Sequence, residues 1–156
     1  MIVRRARPED VPAILRLIRA LATYEYAPDA VEATEDMLHR TLFADGAQVF
    51  GHVVEIAGDV VGIAIWFLNY STWTGKAGLY LEDLFVDESA RGTGAGRALF
   101  QALAREAVAR DCARIDWAVL DWNRPAMNFY QAIGGRPQTG WEPWRLDRAG
   151  IEALAQ

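Results

Sequence analysis

Between two patterned segments of this chain lies the hexapeptide Arg91-Gly92-Thr93-Gly94-Ala95-Gly96. Before it, Leu79 to Val86 is a β-rich run. After it, Leu99, Phe100, Leu103, Ala104, Ala107 and Val108 recur at three- and four-residue steps, which predicts a helix that buries this face and turns Arg97, Gln101 and Arg105 outward. A glycine-rich link between a strand and a helix lets the main chain approach a ligand closely and aims the amides of the first helical turn at negative oxygens. A diphosphate suits such a loop, and Arg91 adds a guanidinium fork matched to phosphate oxygens. Gly92, Thr93, Gly94, Ala95, Gly96 and Arg97 are the other candidate contacts. An NTPase phosphate loop would close on Gly-Lys-Ser/Thr; Gly96-Arg97-Ala98 stands there, so that reading fails. Two others stay open at this point. A dinucleotide-binding turn draws support from Asp116, about twenty residues past Gly94, but polar Asp87-Glu88-Ser89-Ala90 separates strand from loop and the preceding strands look antiparallel. The second is a purely structural glycine turn.

Upstream, Ile2 to Arg5 reads as a short strand, and Pro8 suits the first turn of a helix. Val11, Ile14, Leu15, Ile18, Leu21 and Ala22 form the apolar stripe of that helix, with Arg16 and Arg19 facing water. A polar, aromatic segment broken by Pro28 follows, and Thr34 caps a second helix running to about Phe43. Val49 to Ile56 and Val60 to Phe67, separated by Ala57-Gly58-Asp59, predict an antiparallel hairpin. Downstream, Ile115 to Leu120 is a further strand, Pro125 to Ile133 a helix ended by Gly134 and Gly135, Trp141 to Leu146 a last strand, and a terminal helix closes the chain. This order predicts an α/β fold of the mixed α+β kind, a central, mixed, mostly antiparallel twisted sheet flanked by helices.

With 156 residues, the chain has the length of one domain, expected to span 1–156. Its net charge of -5 opposes unspecific attraction to nucleic acid and to anionic membranes and favours cationic partners. Cys112 is the single cysteine, which excludes an intrachain disulfide, leaves no zinc or redox motif and fits a cytoplasmic location. His39 and His52 lie in contexts that give this thiol no base. The apolar stretch after Arg4, Arg5 and Arg7 is interrupted by Arg16 and Arg19, so it reads neither as a secretion signal nor as a membrane span.

Arg91-x-x-Gly94-x-Gly96 resembles the Q/R-x-x-G-x-G/A signature of the GNAT N-acetyltransferases. Asn123-x-x-Ala126-x-x-Phe129-Tyr130-x-x-x-Gly134 is similar to their downstream N-x-x-A-x-x-F-Y-x-x-x-G element. More narrowly, Ala22-Thr23-Tyr24-Glu25-Tyr26, Trp73-Thr74-Gly75-Lys76, Tyr80 to Val86 and Trp122-Asn123-x-Pro125 resemble the spermidine/spermine N1-acetyltransferase-like branch, which includes thialysine and diamine acetyltransferases. The resemblance implies a GNAT fold, a homodimer, and acetyl-CoA as cosubstrate without a metal. The implied reaction is direct attack, in a ternary complex, by the primary amine of a small cationic acceptor. It further implies that Arg91 to Arg97 grip the CoA diphosphate. Leu84, Phe85 and Val86 on a splayed strand would hold the pantetheine arm and offer an amide to the oxyanion, and Asn123 and Asn128 would hold the cofactor or cap a helix. Tyr130 takes the position of the general acid that protonates the departing thiolate.

An alkylammonium with a pKa near ~10.4 must lose a proton before it attacks a thioester. Glu82 is the candidate base, or else it neutralises the cation; Asp83, by strand alternation, is expected on the opposite sheet face. Tyr24, Glu25 and Tyr26, with Trp73, supply the carboxylate and aromatic faces that attract an alkylammonium. The alternative functions are a non-catalytic acyl-CoA-binding domain and a protein or peptide N-acetyltransferase.

Overall fold

Strands β1 (Ile2–Arg5), β2 (Val49–Ile56), β3 (Asp59–Ser71), β4 (Lys76–Val86) and β5 (Ile115–Trp117) build one sheet in chain order. Neighbours are antiparallel up to β4, whereas β4 and β5 run parallel because helix α3 (Ala95–Ala109) carries the chain back between them. The computed structural model describes all 156 residues, in two compact units: Met1–Ala118, which holds the sheet with α1 (Val11–Tyr24), α2 (Glu35–Phe43) and α3, and Val119–Gln156, which holds α4 (Arg124–Ala132) and α5 (Arg148–Leu154).

Local chemistry accounts for most of these elements. The Thr34 side chain accepts the Met37 amide at the start of α2. The β2–β3 turn uses Ala57 at φ +53 and Gly58 at φ +92, the two left-handed residues that a tight hairpin twisted with its strands requires. On one sheet face, Ile14 and Leu17 of α1 and Leu42 of α2 pack with Val53, Ile63, Ile65 and Phe85. Helix α3 buries Leu99 and Leu103, and Trp66, itself fully buried, donates its indole N–H to His52 Nδ1 at 3.1 Å.

Buried Asp10 ties the start of α1 to the sheet edge, accepting from the Arg4 guanidinium at 2.7 and 2.9 Å and from the Arg7 amide at 2.7 Å. Burial by itself raises its pKa, but the Arg4 and Arg7 hydrogen bonds and the Arg4 charge hold the carboxyl below the usual range. Its stabilisation is therefore present above the ordinary carboxylate pKa and lost as pH falls through the depressed one. Asp10→Ala is expected to lower stability in urea at neutral pH by about 3 kcal/mol, because a partly buried guanidinium loses its main partner. An unchanged urea midpoint would show that the pair contributes nothing.

Several sequence expectations are corrected. Trp141 to Leu146 forms no strand; Pro143 removes a main-chain donor in mid-run, and Trp141 and Trp144 stay 75% and 89% exposed. Strand β5 stops at Trp117 instead of Leu120, while β3 reaches Ser71 and β4 begins at Lys76, so that hairpin is longer than its apolar core. Helix α1 proper starts at Val11 after a 3-10 turn over Pro8–Asp10, and α4 starts at Arg124. On α3, Ala104 and Val108 face out and Ala102 is buried: the buried stripe is Ala95, Leu99, Phe100, Ala102, Leu103 and Ala107, and periodicity alone left its rotation open.

Candidate active site

Strand β4 is irregular at its centre. Leu81 pairs with Trp66 and Asp83 with Ile65 on β3, which leaves Glu82 as the extra residue of a β-bulge. The ladder to β5 ends at the same level, with Leu81 opposite Trp117. From Glu82 to Val86, β4 therefore has no strand partner on that edge, and its main-chain donors and acceptors there suit an extended ligand that adds alongside it. The bulge also interrupts the alternation on which opposite faces for Glu82 and Asp83 rest.

Asp83 shares the face of its partner Ile65, the side on which α1 packs. It is half-buried, and burial, followed by the negative charges of Glu82 and Glu25, pushes its carboxyl up to about 6. Glu25 follows the last turn of α1, with its amide bonded to the Leu21 carbonyl at 2.9 Å, and burial raises its carboxyl as well. Three carboxylates thus share one field, with Glu82 the exposed member, an arrangement that favours a bound cation.

The segment after β4 is held to α1. Asp87 accepts the Ser89 amide and hydroxyl at 3.2 and 2.9 Å and pairs with Arg16 of α1 at 3.1 Å; the Ser89 hydrogen bonds first, then Arg16, keep its carboxyl below the usual range. The Thr93 hydroxyl donates to the Ala90 carbonyl at 2.7 Å. Gly92 and Gly94 adopt φ of +77° and +87°, which only glycine takes at little cost, and a Cβ on either would meet nothing within 4 Å. Gly94 is the N-cap of the 15-residue helix α3, and no side chain caps that end. An uncapped helix start reached through two open glycines fits an anionic group such as a diphosphate. Arg91 at the mouth of the loop points Nε at the Val86 carbonyl, 3.5 Å away.

The acceptor residues expected from sequence are only partly brought together. Glu25 lies within electrostatic reach of Asp83, while Tyr26, at φ +61, is 82% exposed. Trp73, 89% exposed, sits in the β3–β4 turn, and the eight residues of β4 from Lys76 to Asp83 place it roughly 20 Å along the sheet from that carboxylate. Within one chain, then, Trp73 and Asp83 do not meet a single ammonium.

In the second unit, the Asn123 side chain caps α4 by accepting the Ala126 amide at 3.2 Å, and Asn128 is exposed on the same helix. Tyr130 lies beside Phe129 with ring centroids 5.4 Å apart. Its carbonyl accepts the Gly135 amide at 2.8 Å, while Gly134 at φ +92 turns the chain out of the helix.

His52, to which the sequence reading assigns no chemistry, is buried. Burial first, then the Arg5 charge, lower this imidazole to about 4, and its Nε2 lies 3.7 Å from Glu106, so at neutral pH it is an uncharged core group. Burial likewise raises the Cys112 thiol, which keeps it protonated and unreactive. No group of three His, Cys, Asp or Glu stands together as a metal site, and no helix is long and apolar enough to cross a membrane.

The profile of the acetyltransferase (GNAT) family matches residues 12–134. Thialysine N-epsilon-acetyltransferase of Bos taurus is 35% identical over 164 residues, covering 100% of this chain and 96% of that protein. Spermidine/spermine N(1)-acetyltransferase-like protein 1 of Homo sapiens is 33% identical, covering 97% of this chain and 23% of that protein. Among solved structures, an integron cassette protein from the mobile metagenome of V. cholerae has a TM-score of 0.82 at 27% identity, covering 99% of this chain and 97% of its own.

Proposed function

Because the chain belongs to the GNAT family of acetyltransferases, we propose that this enzyme carries acetyl from acetyl-CoA to the primary amine of a diamine, polyamine or thialysine-like amino acid, by direct attack in a ternary complex. The observation that carries the acceptor class is the carboxylate cluster of Glu25, Glu82 and Asp83 beside the unpaired edge of β4. The names of the two relatives, which point to thialysine and to spermidine or spermine, support the same class.

In this reading the loop from Arg91 to Arg97, with the α3 N-terminus, meets the CoA diphosphate. The main chain of Leu84, Phe85 and Val86 binds the pantetheine arm along the free edge of β4. Glu82 accepts the proton of the attacking ammonium and passes it to solvent, while Asp83 shares the charge as its coupled partner. As the N–C bond forms, the Val86 amide stabilises the oxyanion. As the C–S bond breaks, Tyr130 donates its phenolic proton to the thiolate and regains one through solvent from the nitrogen as it becomes the amide, so of the two protons the ammonium loses one is released to solvent and one replaces the proton given to sulfur. Glu25 and Tyr26 hold the distal cationic end of the acceptor, and Asn123 and Asn128 keep α4 and its tyrosine in place. The 156 residues act as one catalytic domain in a cytoplasmic homodimer.

Release of CoA, measured across spermidine, diaminopropane, putrescine, thialysine, lysine and a lysine-bearing peptide, tests this assignment. Selective turnover of a small diamine-like acceptor is expected. Preference for the peptide would make the enzyme a protein acetyltransferase, and CoA binding without turnover would leave only a binding domain. Glu25→Gln is expected to raise the KM of the preferred amine about tenfold with little change in kcat, since one charge-assisted contact is lost. An unchanged KM would remove Glu25 from the acceptor site.

A further inference from the structure

The ring of Tyr24 already holds a cation. Arg91 Cζ lies 4.9 Å from its centroid and 5.9 Å from that of Phe85, with Nε directed at the Val86 carbonyl. Tyr24 is half-buried and packs against the cluster that includes Ile14, Leu17 and Phe85. A ring with the core on one side and a guanidinium over a face is poorly placed to receive an alkylammonium, because the second cation would be repelled by the first.

Arg91 is held without being neutralised. It forms no salt bridge, and Asp87, four residues before it, is committed to Arg16 and to Ser89. Aromatic faces and a carbonyl fix the direction of the guanidinium and leave its full charge to an incoming anion. A carboxylate partner would have had to be displaced first. Long, exposed arginines lose much rotamer freedom when they bind, and a side chain oriented beforehand loses less on contact.

We propose that Tyr24 is a positioning residue for the cofactor: with Phe85, its ring holds Arg91 at the mouth of the glycine loop, oriented to meet the diphosphate of acetyl-CoA. The proposal rests on the reading of that loop as the diphosphate site, and it moves Tyr24 from the acceptor side of the reaction to the cofactor side.

The test is a double-mutant cycle read as the Kd of CoA by calorimetry, with no amine present. Tyr24→Leu, which keeps apolar packing and removes the ring face, is expected to raise Kd about two- to fivefold, and Tyr24→Phe, which keeps the face, to hold it within about twofold. Arg91→Ala is expected to raise Kd tenfold or more, on the order of one lost charge-assisted contact, and Tyr24→Leu added to it to change nothing further. At saturating acetyl-CoA, Tyr24→Leu leaves the KM of the amine in place. Should Tyr24→Leu fail to fold, Tyr24→Met conserves volume and carries the same comparison. A Tyr24→Leu penalty of equal size with and without Arg91 would mark a structural role and overturn the proposal, as would a raised amine KM with an unaltered CoA Kd. An Arg91→Ala protein with wild-type Kd would remove the diphosphate reading of the loop along with the proposal. A weakened Arg91→Ala combined with an indifferent Tyr24→Leu would leave that reading standing and overturn the proposal alone.

Discussion

Tyr130→Phe is expected to lower kcat about a hundredfold while the Kd of CoA stays at its wild-type value. The substitution removes one hydroxyl and keeps the ring that lies beside Phe129, so α4 retains its packing, its Asn123 cap and its glycine exit. What disappears is the proton supplied as the C–S bond breaks, which matters in the transition state and not in the cofactor complex. Steady-state kcat combined with calorimetric CoA binding checks this. Unchanged turnover would make the phenol a structural group and leave the thiolate to depart unaided or to take its proton from water.

A similar loss is expected from Glu82→Gln, about a hundredfold in kcat/KM for the amine, because the attacking ammonium then finds no base at the bulge of β4. The accompanying signature belongs to Asp83. Its carboxyl is pushed up to about 6, so kcat/KM in the wild type should fall as pH drops through that value, and Asp83→Asn should abolish this acid limb. Stability moves the other way. A carboxyl whose folded pKa exceeds its unfolded one binds its proton more tightly in the native state, so native stability decreases as pH rises from the ordinary carboxylate range to about 6. Asp83→Asn lifts that penalty and is expected to be more stable than wild type at neutral pH, on the order of 2 kcal/mol in urea unfolding. A variant less active and more stable would identify a charge that folding tolerates for the sake of the reaction. If Asp83→Asn keeps the acid limb or loses stability, the limb belongs to another group and the coupled pair is not the proton acceptor.

What the sequence determined by itself was what neighbouring residues decide among themselves. The Thr34 cap, the Ala57-Gly58 turn and the two glycines at φ +77 and +87 in the Arg91–Gly96 loop are short-range choices, legible because each residue type meets its requirement within a few positions of chain. Periodicity located α1 and α3, and cap, proline and glycine signals α2 and α4, to within a few residues, as β-rich runs did for the strands that found partners; the terminal helix was expected without bounds, and the loop and Asn123–Gly134 motifs marked the family because they are local as well.

Only the tertiary structure decided what depends on partners distant in sequence. The bulge at Glu82 exists because β3 pairs differently on either side of it, and the end of the β5 ladder at Leu81 exposes the edge that a ligand would use. The raised pKa of Asp83 requires burial and a glutamate from the end of α1, 58 positions away in the sequence, so no reading of Glu82-Asp83 as a dipeptide reveals it. The contact of Tyr24 with Arg91, the bond of Trp66 to His52 and the distance from Trp73 to Asp83 have the same origin. The missing strand at Trp141–Leu146 is the converse case: β propensity was present, but a strand forms only where another strand offers hydrogen bonds, and Pro143 and the chain's own sheet supply none. Local preference chooses the elements, and pairing and burial choose which of their side chains become chemistry.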